Sequence, residues 1–241
     1  MDLRNVTMQS NIIETIPVLD NGFIELLGIF GDELTIVNSA RVSFGTEKTK
    51  LSDGDVKLMN YLRDNKHFSP FRHLMFRFKI KAPEFVMRQL YKHVVGIEAT
   101  SSCCIKDHAW NELSGRYKKI ESFYTPESWR KQSKDSKQAS EGKVEGDVEK
   151  DCQKTYNDCM SNILESYNKL LELGVAKEEA RIILPLSMYS EVIWTCSFQA
   201  IANFIELRDH EHSQWEIREY ATVFKEIIKK YLPITYSVWF E

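Results

Sequence analysis

Apolar and polar positions along the chain alternate in two periods, and the switches between them predict the elements. Phe23 to Ile29 is apolar enough for a strand and follows the turn signal Asp20-Asn21-Gly22. Asp32 is placed to cap a helix through Leu34, Val37 and Ala40. Ser52 or Asp53 caps a second, with Val56, Leu58, Met59 and Leu62 as its apolar stripe. From His73 to Lys81, Leu74, Phe76, Phe78 and Ile80 fall on one face and Arg77, Lys79 and Lys81 on the other. A sheet with one buried side needs that period of two. Pro83 is suited to the first position of a helix running to Lys92.

Between Arg130 and Lys150 only Ala139, Val144 and Val148 are aliphatic. Such a run buries too little surface to offset its ordering entropy, so a mobile surface excursion is expected there. Helical periodicity resumes with Tyr156, Met160, Ile163, Leu164, Leu170 and Leu171 and stops near Gly174. A short helix over 177–183 ends before Pro185, and a second main strand is expected over 186–196. Two amphipathic helices follow, at 197–208 and 212–231. Strands and helices without a regular strand–helix–strand rhythm predict an α+β fold, a mixed or antiparallel central sheet flanked by helices. Its expected domain is single, 18–241, behind an N-terminal extension at 1–17.

Composition narrows the class. With 241 residues and 12% aromatics the chain can bury a core without staples. A net charge of −3 gives no global basic field for nucleic acid, and the basic strand face at Arg77, Lys79 and Lys81 is the best argument for such binding. No stretch approaches the roughly 18 apolar residues that cross a membrane, and the opening residues carry no apolar run of a signal peptide. The five cysteines are odd in number and include no CxxC, which suggests a reducing, cytoplasmic setting.

Phosphate-cradling glycine motifs and HExxH are absent. His93, Cys103, Cys104 and His108 cluster, but adjacent cysteines make poor tetrahedral ligands, so no metal is expected. Asn111-Glu-Leu-Ser-Gly-Arg-Tyr117 packs every polar type around a glycine that admits a ligand to the backbone. There Ser114 and Arg116 suit a phosphate and Glu112 a base or sugar donor, although a surface turn reads the same way. Arg88 and Lys92, four apart, suit one anion or a solvated basic face. Gln199 and Asn203 share a helix face, while Phe198, Ile201 and Ile205 read as core. Arg208 and His212 fall at a helix junction, where side chains often meet a cleft. Arg181 is a lone cation in an apolar run and needs an anionic partner if buried.

Ser69-Pro-Phe-Arg-His73, Lys81-Ala-Pro83, Arg88-Gln89, Asn111 to Tyr117, Ala180 to Pro185 and Asn203 to Arg208 with Gln214-Trp-Glu216, in that order, resemble the flavin-dependent thymidylate synthases. The resemblance implies a homotetramer of α+β subunits with shared active sites. It implies FAD as cofactor and dUMP as substrate, methylated at C5 with methylenetetrahydrofolate as carbon donor and NADPH as reductant. By the same resemblance Gln89, Lys92, Glu112, Leu113, Ser114, Gly115, Arg116, Arg181 and Arg208 hold dUMP. Ser69, His93, Val94, Val95, Glu112, Asn203 and His212, with Ser197 to Gln199, contact FAD. Arg208 is the implied catalytic residue, promoting ionisation at N3 of uracil.

The chain departs from the family at Lys92-His93-Val94, where the pattern has Arg-His-Arg, and by an insertion at 96–110 before Ser114. Lys is a point charge and lacks the bidentate fork of Arg. Lys106 or His108, both in the insertion, is expected to restore the lost charge. Two other readings remain: flavin-dependent modification of another pyrimidine nucleotide, and a non-catalytic flavin- or nucleotide-binding homologue.

Overall fold

The computed structural model describes residues 14–98, 104–106, 108–137 and 139–241, without the side chains of 96–98 and 104–106. The chain opens with strands β1 (Glu14–Val18) and β2 (Gly22–Phe30) and helices α1 (Glu33–Arg41), α2 (Asp53–Asp64) and α3 (Ser69–Arg72). Strand β3 (Met75–Pro83) leads into α4 (Glu84–Leu90), then short strands β4 (Gly96–Glu98), β5 (Cys104–Lys106) and β6 (His108–Glu112). A hairpin of β7 (Arg130–Gln132) and β8 (Ser140–Lys143) precedes the long helix α5 (Gly146–Glu172) and α6 (Lys177–Ala180). Strand β9 (Tyr189–Ser197) and helices α7 (Phe198–Arg208), α8 (Trp215–Tyr231) and α9 (Pro233–Phe240) complete the chain.

The main sheet has the order β1-β2-β3-β9-β6, with every pair antiparallel. This is the α+β architecture that the patterning predicts. The alternation in β3 works as read: Phe76, Phe78 and Ile80 are buried, and Arg77 is exposed. Opposite them on β9, Val192, Trp194 and Cys196 are buried. Helices α7 and α8 cover this face with Phe204 and Phe224, whose rings meet edge to face at 5.6 Å. Phe224 also meets Phe78 at 5.0 Å and Trp194 at 5.9 Å. Each fully buried large apolar side chain contributes roughly 1.5–3 kcal/mol, so this layer is the scaffold's main support. On the other face Lys79 pairs with Glu191 at 3.1 Å, and Lys81 lies over the Tyr189 ring. The basic strand face is thereby partly neutralised.

Caps explain the early helix starts. Asp32 accepts from Thr35 N, and Thr35 Oγ1 accepts from Asp32 N. Ser52 and Asp55 reciprocate in the same way at α2. Gly22 must be glycine, because a Cβ there would lie 2.1 Å from Tyr220 Oη and 2.7 Å from Val18 O.

Three expectations change. Pro83 closes β3 and caps α4 in an extended conformation, so it precedes the helix. The sheet begins at Glu14, inside the expected extension, because 14–18 pair along the edge of β2. Residues 130–150 are not without regular structure. They hold the β7–β8 hairpin and the first turn of α5, where Asp147 and Glu149 suit the positive helix end. Neither element buries an apolar face, and so hydrophobic patterning gave no signal.

Candidate nucleotide and flavin site

Residues 112–116 leave the end of β6 and form one wall of a cleft of about 650 Å3. Glu84 from the start of α4, Arg181 after α6 and Met188–Ser190 supply the other walls. The wall is pinned at both ends. Leu113 N donates to Glu191 O at 2.8 Å, and Tyr117 N donates to Ser114 O at 3.0 Å. Glu112 is held by two donors, Ser190 Oγ at 2.6 Å and Trp110 Nε1 at 3.1 Å. Gly115 is buried against Arg181, and a Cβ there would lie 3.2 Å from Arg181 Cδ. Arg116 and Arg181 are exposed at the rim. Arg181 therefore needs no buried partner. Glu84 is half-buried, and its carboxyl is raised above the ordinary value by burial and by the Glu112 charge. The cleft is cationic at the rim and carboxylic within, which suits a phosphate outside and hydrogen-bond donors of a sugar or base inside.

A second cleft, about 560 Å3, opens where α2 and α3 meet the first turn of α7. It gathers Ser69, Val95 and Gln199, with Lys66, His67 and Arg72 beside them. At the C-terminus of α7, Arg208 Nε donates to His93 Nε2 at 3.4 Å. The His93 ring packs edge-on against Phe204 at 5.1 Å. Burial and the Arg208 charge push His93 down to about 4, so the imidazole is neutral near pH 7. Burial also lowers the Arg208 guanidinium.

The structure thus brings Glu112, Leu113, Ser114, Gly115, Arg116 and Arg181 together, and separately Ser69, Val95 and Gln199. Glu112, expected to contact both ligands, lines the first cleft alone. Gln89 sits on α4 and donates to Gln214 Oε1. Lys92 lies in the turn beyond α4, so it does not share a helix face with Arg88, whose Nε faces Glu84 at 3.8 Å. Val94 is half-buried, and Asn203 and His212 are exposed. Ser197 is fully buried before α7, its hydroxyl without a partner. His108 Nδ1 accepts from Trp194 Nε1 at 2.9 Å, and its ring stacks on Trp110. The side chain of Lys106 and the cluster at Cys103 and Cys104 lie outside what is described; among the described residues no group of three ligands gathers for a metal. Sequence reading missed Glu84, Lys66, His67 and Ser190 as lining residues. Glu84 had one signal, an acid opening an otherwise apolar helix turn.

A cleft with guanidiniums at its rim and carboxylates beside them, and a second polar cleft on the same α+β scaffold, have the chemistry of a nucleotide-handling protein. The family described as thymidylate synthase complementing protein matches residues 25–234, and the chain belongs to it, among the flavin-dependent thymidylate synthases. The chain is 41% identical to the flavin-dependent thymidylate synthase of Thermus thermophilus, over 94% of this chain and 78% of that one. It is 38% identical to that of Kosmotoga olearia, over 93% and 92%. Its structure is similar to a UMP/dUMP methylase from Streptomyces cacaoi bound with 5-Br dUMP, with TM-score 0.77 and 29% identity over 92% of this chain and 96% of that one. No described helix is long and apolar enough to cross a membrane.

The second cleft fits the flavin that the family name implies. Lys66 and Arg72 offer charge to a phosphate, Ser39, Ser43 and Ser69 offer hydroxyls, and Leu62, Phe68 and Val95 offer apolar wall.

Proposed function

We propose that this chain methylates dUMP at C5 to give dTMP, with methylenetetrahydrofolate as carbon donor and NADPH as reductant through FAD, in the cytoplasm. The observation that carries this reading is the Arg208–His93 pair: a fixed guanidinium beside a neutral imidazole, on the chain that also builds the anion cleft. Once reduced by NADPH, a bound flavin would supply the hydride. The residues do the rest. Arg116 and Arg181 take the phosphate, with Lys92 as a third cation. Ser114 and the backbone at Gly115 approach it closely, and Glu112 accepts from the nucleoside. Ser69, His93, Val94, Val95, Gln199 and Asn203 hold the flavin, with His212 at its margin; Ser197, fully buried, supports Gln199 from within the core and does not touch the ligand.

Uracil C5 is a weak nucleophile until electron density is pushed into the ring. A guanidinium at N3 and its flanking carbonyls lowers the cost of losing the N3 proton, and its prior placement spares reorganisation. No thiol is required. Cys196 is buried with its thiol pushed up, and Cys152 and Cys159 lie on α5, away from both clefts.

The separation of the site residues along α4 supports a homotetramer with shared sites. The anion cleft starts at Glu84, whereas Lys92 and His93 lie past the other end of α4, roughly 10 Å along a seven-residue helix. On this reading a neighbouring subunit brings its Lys92 and His93 to the cleft that this subunit's Glu84 and Arg181 line. Phe30, Val42, Phe44 and Ile182 are exposed and suit subunit contacts.

The test is dTMP formation from dUMP, methylenetetrahydrofolate and NADPH by the yellow, FAD-loaded protein, with UMP and dCMP in parallel. The likeness to a UMP/dUMP methylase makes UMP the relevant competitor. Product from UMP or dCMP alone replaces the substrate assignment, and a colourless protein indifferent to FAD removes the reading. Light scattering at four times 28.2 kDa checks the assembly.

A further inference from the structure

Gln89 Nε2 donates twice, to Phe85 O at 3.2 Å and to Gln214 Oε1 at 2.9 Å. An amide nitrogen has two hydrogens, so both are used. The orientation is forced by chemistry, because the Phe85 carbonyl can only accept and nitrogen must face it. Gln214 must then present oxygen. Among the described residues nothing donates to Gln89 Oε1, which is left as an open acceptor.

Gln214 is itself held in place. It is the residue before α8, and its carbonyl accepts from Arg218 N at 3.2 Å. Next to it Trp215 lies under the Arg130 guanidinium, 4.8 Å from the ring centre. Glu216 follows, buried, accepting from Arg130 Nη2 and from Tyr124 OH at 3.1 Å. The hairpin β7–β8, through Arg130, therefore anchors the turn that positions Gln214.

We propose that Gln214 is a positioning residue that locks the Gln89 amide, so that Gln89 offers the bound nucleotide an acceptor and no donor. Gln89 then recognises a ligand hydrogen-bond donor, either a sugar hydroxyl or the imide N–H of the pyrimidine. An unlocked amide rotates and accepts either polarity. The lock excludes ligands that place an acceptor there, because two oxygens would face each other unpaired. This role rests on the nucleotide reading above, and it assigns to that site a polarity set from the start of α8.

The test combines protein variants with ligand analogues, using the flavin-loaded protein. Dissociation constants are measured for dUMP, for 2′,3′-dideoxyuridine monophosphate, which lacks the sugar hydroxyl, and for 3-methyl-dUMP, which lacks the imide hydrogen. Wild type is expected to lose about tenfold or more on one analogue, and which one identifies the donor. Gln214→Leu is expected to weaken dUMP and shrink that penalty to within about threefold. Gln214→Glu retains an acceptor for Gln89 and is expected to keep the penalty, a rescue that loss of packing would not give. Gln214 is exposed, so neither change empties the core. An unchanged penalty in Gln214→Leu, or none in wild type on either analogue, overturns the role while leaving dUMP binding intact. A wild-type protein that binds no nucleotide overturns both the role and the function on which it rests.

Discussion

Arg208 Nε stands 3.4 Å from His93 Nε2, linking the last residue of α7 to the turn after α4. The guanidinium can only donate, so Nε2 accepts and the imidazole proton sits on Nδ1. Burial first, and the Arg208 charge second, hold His93 down to about 4. Its folded value lies below the ordinary 6.5, so the unfolded chain binds the extra proton more readily. The fold therefore keeps its full stability above about pH 6.5 and loses part of it as pH falls toward 4. Nitrogen NMR of the His93 ring checks this directly, with a midpoint near 4. Arg208→Gln should move the midpoint up, yet leave it below 6.5 because burial remains. A His93 midpoint at or above 6.5 in the unsubstituted protein would refute the pairing.

Arg208→Ala should leave the core intact, since the side chain is half-exposed at a helix end. Flavin retention and thermal midpoint are expected near wild type. Turnover of dUMP is expected to fall by about 10²–10³, the usual cost of losing one preorganised charge at the reacting group. Arg208→Lys should recover little, because an ammonium lacks the planar fork. Retained kcat in Arg208→Ala would remove the catalytic assignment.

At Gly115 the backbone approaches Arg181 closely. An added Cβ would lie 3.2 Å from Arg181 Cδ and 3.5 Å from Nη1. The neighbour is a flexible, exposed side chain, so Gly115→Ala should shift Arg181 and not break the turn. Thermal stability is expected to change by less than about 0.5 kcal/mol. The dUMP dissociation constant should rise roughly tenfold, about 1.4 kcal/mol. Arg181→Ala should weaken dUMP alone, and the double variant should cost less than the sum, because both act on one side chain. Strict additivity would mean that Gly115 touches the ligand independently.

How much of this was legible depends on what each residue buries. The alternation through Phe76, Phe78 and Ile80 declared β3 and its inner face, and the polar Asn111–Tyr117 cluster marked a segment that lines the first cleft. Both have side chains whose type matches their environment. Strand β6 was not legible. Its pairing to β9 is carried by backbone, while Ala109, Asn111 and Glu112 are exposed and carry no period-two apolar signal. Glu84 was missed because only folding brings it beside Glu112, and the Gln89–Gln214 bond spans 125 positions. The strands within the polar surface excursion at 130–143 carry no apolar alternation, so the sequence shows the excursion but not its hairpin. Its tie to the core runs through Arg130, whose partner Glu216 lies 86 positions away.

That contact makes the final prediction. Glu216 is 3% exposed, and among the described residues its Oε2 has no hydrogen-bond partner, so Arg130 supplies the charge that compensates it, with Tyr124 OH as a neutral donor. Arg130→Met keeps the hairpin's bulk over Trp215 but leaves a buried carboxylate charge, expected to cost about 3–5 kcal/mol. The double variant Arg130→Met with Glu216→Gln removes the charge and should recover most of that loss. Denaturant unfolding measures both. Limited proteolysis between Ser133 and Ala139 reads the hairpin itself: cleavage should be slow in the unsubstituted chain and fast in Arg130→Met. Equal cleavage rates would mean that the β7–β8 pairing holds the hairpin without Arg130. An undiminished loss in the double variant would mean that the Arg130 guanidinium acts through Trp215 and not through Glu216.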